Sequence, residues 1–281
     1  MTEYSALRLV DPKDNYYVKE TSMHIETSDR NGQTYMSNIY FTPPVKVTRP
    51  FKLKNGGVHI IMMSSSPGIM DGDIQDFKFD IKENSKTFIT SQAYEKIFKT
   101  IKKTPKRRTK INVEKNAYFK YFPQGTIPYK NSTFDSRTHV KLEDETSKFI
   151  MVETVTPGRI AMNEKFEYKY FKLYTDVMMN DELIYVDNTL FEPEIKDMTG
   201  FGELEGFDYM TNMMLFNLSI DEKLAKEIHQ KIEENGFEGG ISRLYTGDHI
   251  IRMLGNGGGA KLLKMSEKII KMIEEANDIL L

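Results

Sequence analysis

A strand-turn-strand pattern occurs three times in the middle of this sequence and restricts the folds that it can adopt. Residues 79–89 align with residues 111–121, about 32 positions later, and with residues 140–150, about 29 positions after that. Asn84 and Asn116 stand where the chain must reverse, and Asn tolerates the left-handed backbone conformation that such turns require. Units that recur at this length favour stacked strand pairs, each covering its neighbour's apolar face, as in β-solenoids. An antiparallel β-sandwich of similar hairpins fits the same pattern.

The pattern of apolar residues predicts a mainly β protein whose last part is different in character. From about residue 35 to 187, apolar residues alternate with period two, and β-branched and aromatic residues are frequent. After residue 216 the sequence predicts a helix that ends near Gly236, a hairpin over residues 240–254 and a second helix from about Ala260. We therefore expect a β-rich body of stacked hairpins over residues 1–215. A helix-hairpin-helix cap over residues 216–281 would continue the same structural unit.

Composition narrows the class of protein. The chain of 281 residues has no cysteine, which excludes disulfides and thiolate metal sites and is typical of a reducing compartment, so we expect a cytoplasmic protein. Residues 1–13 lack the apolar core of a signal peptide, and no apolar run is long enough to cross a bilayer. The formal charge of -2 predicts no affinity for nucleic acid or for a membrane surface. Specific contacts with proteins are the better expectation.

One run of the sequence is strongly basic. It is interpreted as a solvated loop between two strands, and the alternative is a docking patch for an acidic partner. The run consists of Lys99, Lys102, Lys103, Lys106, Arg107, Arg108 and Lys110.

The residues that could carry out catalysis do not form a recognisable set. The five histidines, at positions 24, 59, 139, 229 and 249, occur singly, with no pair at helical spacing and no nearby nucleophile. The glycine-rich link at residues 255–259 lacks the Lys and the Ser or Thr that follow the glycines of a phosphate-binding loop. We therefore expect no catalytic residues, no tightly bound cofactor and no enzymatic activity. The alternative, if the protein is an enzyme, is a hydrolase that uses Asp71 or Asp73 as general base.

The segment with the most unusual composition follows an apolar strand at residues 64–76. Gly68 and Gly72 permit a tight turn, and Asp71 and Asp73 lie on either side of Gly72. The later ligands of a calcium-binding loop are missing, so calcium is excluded. Taken alone, the segment is typical of a turn that connects two strands and is capped by aspartates.

Together with later segments, this turn resembles the urease accessory protein UreD (UreH) family. The matching stretches occur in the family's order and cover nearly the whole chain: residues 40–46, 66–98, 121–129, 157–166, 241–244 and 251–255. The residues that carry the motifs are Gly68, Gly72, Thr90, Ser91, Gln92, Lys96, Gly158, Arg159 and Arg252. Two departures are Pro67, where many members have glycine, and Met162-Asn163, where Arg-Gly is commoner before Glu164.

The resemblance implies a chaperone for nickel insertion that is required for the maturation of urease. It implies binding to the accessory proteins UreF and UreG, of which UreG is a GTPase, a dimer of the assembled complex, and docking on apo-urease. It also implies an internal passage for a transient nickel ion. Oxygen ligands hold nickel more weakly than imidazole or thiolate, so carboxylates suit an ion that must be released. The hypothetical transit residues are Asp71, Asp73, Glu153 and Glu164.

Contact with a partner has its own candidates near residue 200. Aromatic and Met side chains alternate there with Gly and acidic residues, which favours an adaptable interface, although each Met also suits a core. The candidates for contact with UreF are Phe201, Phe207, Tyr209, Met210, Met213 and Met214. A plain β-scaffold that binds other proteins without any role in metal transfer remains the alternative to the nickel chaperone.

Overall fold

The computed structural model of the protein describes residues 20–279, and within them the chain folds mainly into β-strands. The prediction that residues 1–13 are not a signal peptide concerns residues outside this described range. The first nine strands are β1 Glu20–Arg30, β2 Gln33–Phe41, β3 Val45–Val47, β4 Phe51–Lys52, β5 Val58–Ser64, β6 Ile74–Ile81, β7 Lys86–Ser91, β8 Glu95–Ile97 and β9 Lys106–Val113. The others are β10 Tyr118–Phe122, β11 Thr126–Pro128, β12 Thr133–Leu142, β13 Lys148–Val155, β14 Tyr170–Met179, β15 Glu182–Phe191, β16 Tyr209–Phe216, β17 Glu238–Arg243 and β18 His249–Gly255. A 3-10 turn covers Ile160–Met162, and the helices are α1 Glu222–Glu234 and α2 Gly259–Ala276.

The strands form two sheets that face each other. The first sheet has seven strands in the order β15-β14-β12-β9-β6-β1-β2, and the second has the path β17-β18-β16-β13-β10-β7-β5-β3 with three short strands beside it. The central strands of both sheets are parallel, from β1 to β14 in the first and from β5 to β13 in the second, and the edges are antiparallel. Parallel strands in a register that repeats along the chain confirm the stacked layers.

The pairing register reproduces the spacing of the sequence repeat. Phe79 of β6 lies beside Ile111 of β9, and Ile111 lies beside Val140 of β12. Asn84 and Asn116 have the expected positive φ angles of 62° and 56°. The two strands of each unit do not pair as a hairpin. The turn carries the chain from one sheet to the other, so the strands of a layer face each other across the core, and only neighbouring layers share backbone hydrogen bonds.

Aromatic side chains stack through the interior and hold the sheets together. The ring of Phe79 lies 5.7 Å from that of Phe119, Phe119 lies 5.9 Å from Phe149, and Phe149 lies 6.5 Å from Phe216. All four side chains are fully buried. Burial of one such side chain contributes about 1.5–3 kcal/mol to stability, so this column is a large part of the driving force for stacking.

The C-terminal part continues the second sheet. The predicted first helix is confirmed: the Asp221 carboxylate accepts a hydrogen bond from the backbone N–H of Leu224 at 2.7 Å and caps α1. The predicted hairpin is formed by β17 and β18, and β18 pairs with β16. Both helices pack on the outer face of the second sheet, where they cover a second apolar core. The body and the cap are therefore joined by strand pairing.

Helix α2 is also attached to the sheet through charged groups. The Lys120 Nζ lies 2.6 Å from the Glu274 Oε1, and the Tyr118 hydroxyl donates to the same oxygen at 2.7 Å. All three residues are buried. Neither described helix is long and apolar enough to span a membrane.

The interpretation of the basic run as a loop is wrong for its second half. Lys106, Arg107, Arg108 and Lys110 belong to β9, which is paired on both sides in the first sheet. Alternation along the strand exposes Lys106, Arg108 and Lys110 and turns Arg107 toward the interior. The five consecutive hydrophilic residues 106–110 show no alternation with apolar residues by which the start of this strand could be recognised.

Candidate functional site

A cavity of about 240 Å³, lined by both polar and apolar side chains, lies between the sheets at one end of the body. At this end β6, β9 and β12 begin and β7, β10 and β13 end. Serine and threonine hydroxyls from both sheets face the cavity together with ionisable groups. A space of this size is large enough for water molecules, and the polar groups in its wall offer hydrogen-bond partners for them. The hydroxyl-bearing residues in its wall are Thr21, Ser64, Ser66, Ser91, Thr109, Thr126, Ser136, Thr138 and Thr154.

Arg107 brings a positive charge into this cavity from the first sheet. Its guanidinium forms an ion pair with Glu95 and donates to the Gln75 Oε1 from Nε at 2.9 Å. It also lies over the rings of Phe77 and Phe134, at 5.3 Å and 5.6 Å from their centroids. Burial works against the charged form, but the nearby Glu95 outweighs it, and the pKa of Arg107 is raised. The cavity therefore contains a permanent cation that is already paired.

Glu153 brings a carboxyl group from the second sheet. Burial raises the pKa of Glu153 to about 7, the negative charge of Asp187 acts in the same direction, and Arg107 acts in the opposite one. Burial also raises the pKa of Tyr121, which lines the same cavity, to about 12. At neutral pH the phenol is thus neutral, whereas Glu153 exists in both protonation states. A carboxyl group poised in this way can exchange a proton for a metal cation.

A line of polar side chains leads from Glu153 to the surface. Glu153 is paired in register with Asn212 of β16, and Asn212 with Arg252 of β18. The Oδ2 of Asp187 accepts hydrogen bonds from the Asn212 side-chain amide and from the Arg252 guanidinium, both at 2.7 Å. The Asp187 side chain is 11% exposed and that of Arg252 is 49% exposed. The polar groups therefore extend from the Glu153 side of the cavity to the half-exposed Arg252.

Comparison with known proteins assigns the chain to a family. The family model described as UreD urease accessory protein matches residues 19–277. The chain belongs to this family. It is 30% identical over 262 residues to the urease accessory protein UreH of Helicobacter pylori strain J99, covering 93% of this chain and 97% of that protein. It is also 27% identical over 261 residues to the urease accessory protein UreD of Acetivibrio thermocellus, covering 92% of this chain and 97% of that protein. These relatives support a role in the maturation of urease.

The four carboxylates that were predicted for metal transit occupy different places in this UreD family member. Glu153 and Asp73 both line the cavity, and the Asp73 Oδ2 also accepts the backbone N–H of Met70 at 2.8 Å. Asp71 caps the loop before β9 by accepting backbone N–H groups, from Lys102 at 3.0 Å among others. This hydrogen bonding is the turn-capping role that the sequence left open.

Glu164 is the fourth of these carboxylates and lies outside the cavity wall. It forms an ion pair with Arg159, whose Nε lies 2.7 Å from its Oε2, and it accepts the backbone N–H of Lys130 at 3.3 Å. The Arg159 guanidinium also lies 4.0 Å from the centroid of the Tyr129 ring. These contacts lower the pKa of Glu164, the hydrogen bond from Arg159 being the largest cause. Of the four carboxylates, Glu153 and Asp73 are the two that line the cavity.

Several family-motif residues meet at the cavity. Gly68, Ser91, Gln92 and Lys96 all lie in its wall. A Cβ atom at position 68 would approach the Lys96 carbonyl oxygen to 2.4 Å, so the close contact of these two segments requires glycine. The motif around residues 66–98 thus builds the cavity rim.

The other motif residues shape the adjacent turns. Gly158 has a φ angle of +125°, and a Cβ atom there would lie 2.7 Å from the Glu164 carbonyl oxygen. Gly72 donates its N–H to the Lys103 carbonyl at 2.7 Å, and the Thr90 Oγ1 lies 2.8 Å from the His59 Nε2. Arg252 forms the surface end of the polar line already described.

The predicted partner-binding stretch is divided between surface and core. Phe201 is 99% exposed at the tip of the loop between β15 and β16, and Phe207 and Tyr209 are half-buried. Met210, Met213 and Met214 lie in β16 and are buried, because both faces of this strand are covered. In this structure these three side chains pack in the core, and contact of this stretch with a partner stays a prediction. The exposed loop around Phe201 stays a candidate for contact with UreF.

The sequence did not reveal the roles of Gln75, Glu95 and Arg107 in the cavity wall, or of Asp187 and Asn212 in the polar line beside it. Gln75 and Glu95 lie within the family-motif stretch at residues 66–98, but no chemical role was assigned to them there. The alternation of Arg107 with Thr109 and Ile111 in β9 is the one signal that could have placed Arg107 on an inward face. Its pairing with Glu95 becomes apparent only from the three-dimensional structure.

Proposed function

We propose that the protein acts in the maturation of urease by giving nickel an internal passage, without a catalytic step of its own. The observation that carries this proposal is the cavity between the two sheets, with Glu153, Asp73 and several hydroxyl-bearing side chains in its wall. Stability alone does not account for these groups, since burial of charged and polar groups costs free energy. A function in binding or transfer accounts for the presence of these groups.

The chemistry of the cavity suits a cation that is bound for a short time. The possible ligands in its wall are carboxylate and hydroxyl oxygens, which hold nickel less tightly than imidazole or thiolate, and the Arg107 cation beside them is already paired with Glu95. Glu153 takes up a cation when it releases its proton, and its pKa of about 7 keeps this exchange close to balance at neutral pH. Conduction requires binding that is favourable enough for entry and weak enough for release.

The route in this proposal runs between the cavity and the surface at Arg252. Asp187 supplies a second carboxylate next to the Asn212 amide, and its hydrogen bonds to Asn212 and Arg252 fix its orientation. The Arg252 guanidinium is half-exposed and long, so it can move away from Asp187 and leave the carboxylate open to an arriving ion. Rigid strands carry all these groups, which keeps their spacing constant.

We propose further that the nickel is handed over in a complex with UreF, UreG and apo-urease. The loop around Phe201 supports a docking role, because a fully exposed aromatic side chain at a loop tip is a typical anchor for a partner pocket. Met198 and Leu204 are buried beneath the loop and hold it in place. The assignment of UreF to this loop follows from the family expectation stated above.

Replacing Glu153 by Gln tests the passage directly. The protein is co-expressed with UreF and UreG, the complex is purified, and urease activity and bound nickel are measured after addition of apo-urease, nickel and GTP. Gln keeps the shape of the side chain but cannot ionise, so we expect nickel transfer to slow by roughly tenfold or more. The control is Glu143→Gln, at an exposed carboxylate in the turn between β12 and β13 at the opposite end.

Two results would contradict different parts of the proposal. If Glu153→Gln forms the complex and activates urease at the parent rate, the passage does not involve this cavity. If the parent protein does not co-purify with UreF and UreG, the proposed assembly is wrong, whatever the cavity does.

A further inference from the structure

A second group of possible metal ligands lies on the opposite face of the first sheet. His24 and Glu26 project outward from β1, and Asp80 projects outward from β6, while Met23 and Ile25 face the core. One ligand atom from each of the three side chains lies within 4.8 Å of the others. The parallel register produces this arrangement, because Glu26 lies beside Asp80, and His24 lies one outward position before them.

Asp80 is the centre of the group. It is 6% exposed, and its Oδ2 lies 2.7 Å from the His24 Nε2 and 2.6 Å from the Lys78 Nζ. The Asn112 side-chain amide donates to its Oδ1 at 2.7 Å. The protein therefore already places a cation, the Lys78 ammonium, against the Asp80 Oδ2.

Glu26 is held beside this centre by an irregularity in the sheet. The pairing of β1 with β2 shifts by one residue between Glu26 and Thr27, so Ser37 is the extra residue of a β-bulge. The Ser37 hydroxyl donates to the Glu26 Oε1 at 2.8 Å. A bulge re-aims side chains locally, and here it supplies a hydrogen bond that orients a second carboxylate toward Asp80.

We propose that His24, Glu26 and Asp80 form a surface site for a divalent transition-metal ion. One imidazole nitrogen and two carboxylate oxygens suit nickel, zinc or cobalt, whereas magnesium and calcium prefer oxygen ligands alone. Asn112 orients the Asp80 carboxylate, as partners of metal ligands commonly do. Lys78 competes for the same oxygen, and its half-exposed side chain moves into solvent when the metal ion binds. This site is separated from the cavity by the sheet.

The same sheet face provides a matched control. The Nδ1 of His139 lies 2.5 Å from the Oδ1 of Asp176, so this pair repeats the histidine-aspartate contact of the proposed site. Within the described residues, no third ligand joins His139 and Asp176 in a group that could hold a metal ion. A metal ion that needs three protein ligands is therefore expected to bind at His24 and not at His139.

The test is a titration of the full chain, without a histidine tag, with nickel and with zinc in a calorimeter. His24→Ala is expected to weaken the tightest binding event by about tenfold or more, the range found when support for a metal site is lost. Lys78→Met is expected to strengthen it by about twofold to fivefold, because a competing surface charge is removed. His139→Ala is expected to leave the affinity at the parent value.

A gain in metal affinity, as expected for Lys78→Met, cannot result from a folding defect. This variant therefore still tests the proposal if His24→Ala is unstable. The proposal is overturned if His24→Ala binds as the parent does, if His139→Ala loses as much affinity, or if Lys78→Met gains none. The Glu153→Gln variant should retain the site. Loss of metal binding in Glu153→Gln with no effect of His24→Ala would assign the metal to the cavity instead.

Discussion

Substitution of Glu153 by Gln should change the stability of the protein by an amount that depends on pH. Burial holds the pKa of Glu153 at about 7 in the folded protein, against an ordinary value of 4.5. Ionisation in the folded state is therefore unfavourable, and the difference between the two pKa values corresponds to about 3 kcal/mol. Gln carries no ionisable group and avoids this cost. The variant should be more stable than the parent at pH 8 by at most about 3 kcal/mol, and at pH 5 by about 1 kcal/mol.

The sign follows from the number of bound protons. Between pH 4.5 and about pH 7 the folded protein keeps the Glu153 proton, whereas the unfolded chain has already released it. The folded state binds more protons in this window, so the stability contributed by Glu153 is present below pH 4.5 and falls as the pH rises to 7. Above pH 7 the penalty is complete and constant.

Urea denaturation at pH 5 and pH 8 measures this effect. Because the chain has no tryptophan, far-ultraviolet circular dichroism or tyrosine fluorescence is the appropriate signal. The exposed Glu143→Gln serves as a control in which the difference from the parent should be within about 0.5 kcal/mol at both pH values. A Glu153→Gln variant whose advantage is the same at pH 5 and pH 8 would refute the assignment of a raised pKa to this buried carboxyl group.

Two further substitutions test the attachment of α2 and the role of the exposed loop. Glu274→Ala leaves the buried Lys120 ammonium without its partner 2.6 Å away, so we expect a loss of about 3–5 kcal/mol in urea denaturation; a loss below about 1 kcal/mol would contradict a buried ion pair. Phe201→Ala removes a side chain that is 99% exposed, so stability should change by less than about 0.5 kcal/mol. The same variant should weaken capture of UreF by about 2 kcal/mol or more, roughly thirtyfold, and an unchanged affinity would exclude the loop as an anchor.

The stacked architecture could be predicted because equivalent positions of the sequence repeat become neighbours when the units stack. Phe79, Ile111 and Val140 occupy equivalent positions in three units, and the structure pairs them side by side. The arrangement of the two strands within a unit could not be predicted in the same way. A period of two tells which side chains share a face, but not whether the next strand pairs with the first or crosses to the other sheet.

The cavity could be predicted only in part. Glu153 and Asp73 were identified through the resemblance to the family, and both face the interior space. Arg107 was missed because a charged residue inside a basic run is most often exposed, and its burial depends on Glu95 and Gln75 in other strands. Arg107 meets Glu95 and Gln75 because the layers stack on one another, so these contacts cannot be predicted from the sequence of β9 alone.

The position of the cavity at one end of the body follows from how the layers are built. In the middle of the body, aromatic rings from Phe79 to Phe216 fill the space between the sheets and leave no room for an ion. At the end where β7, β10 and β13 finish, the connections to the next strand of the first sheet are longer, such as residues 92–105, which include the short strand β8. Gly68 allows two of these segments to approach closely. The apolar layers thus provide the stability that the polar end lacks. Burial of the Glu153 carboxyl group at this end raises its pKa and makes its ionised form less favourable in the folded protein. The same raised pKa is the property on which the proposed exchange of a proton for a cation depends.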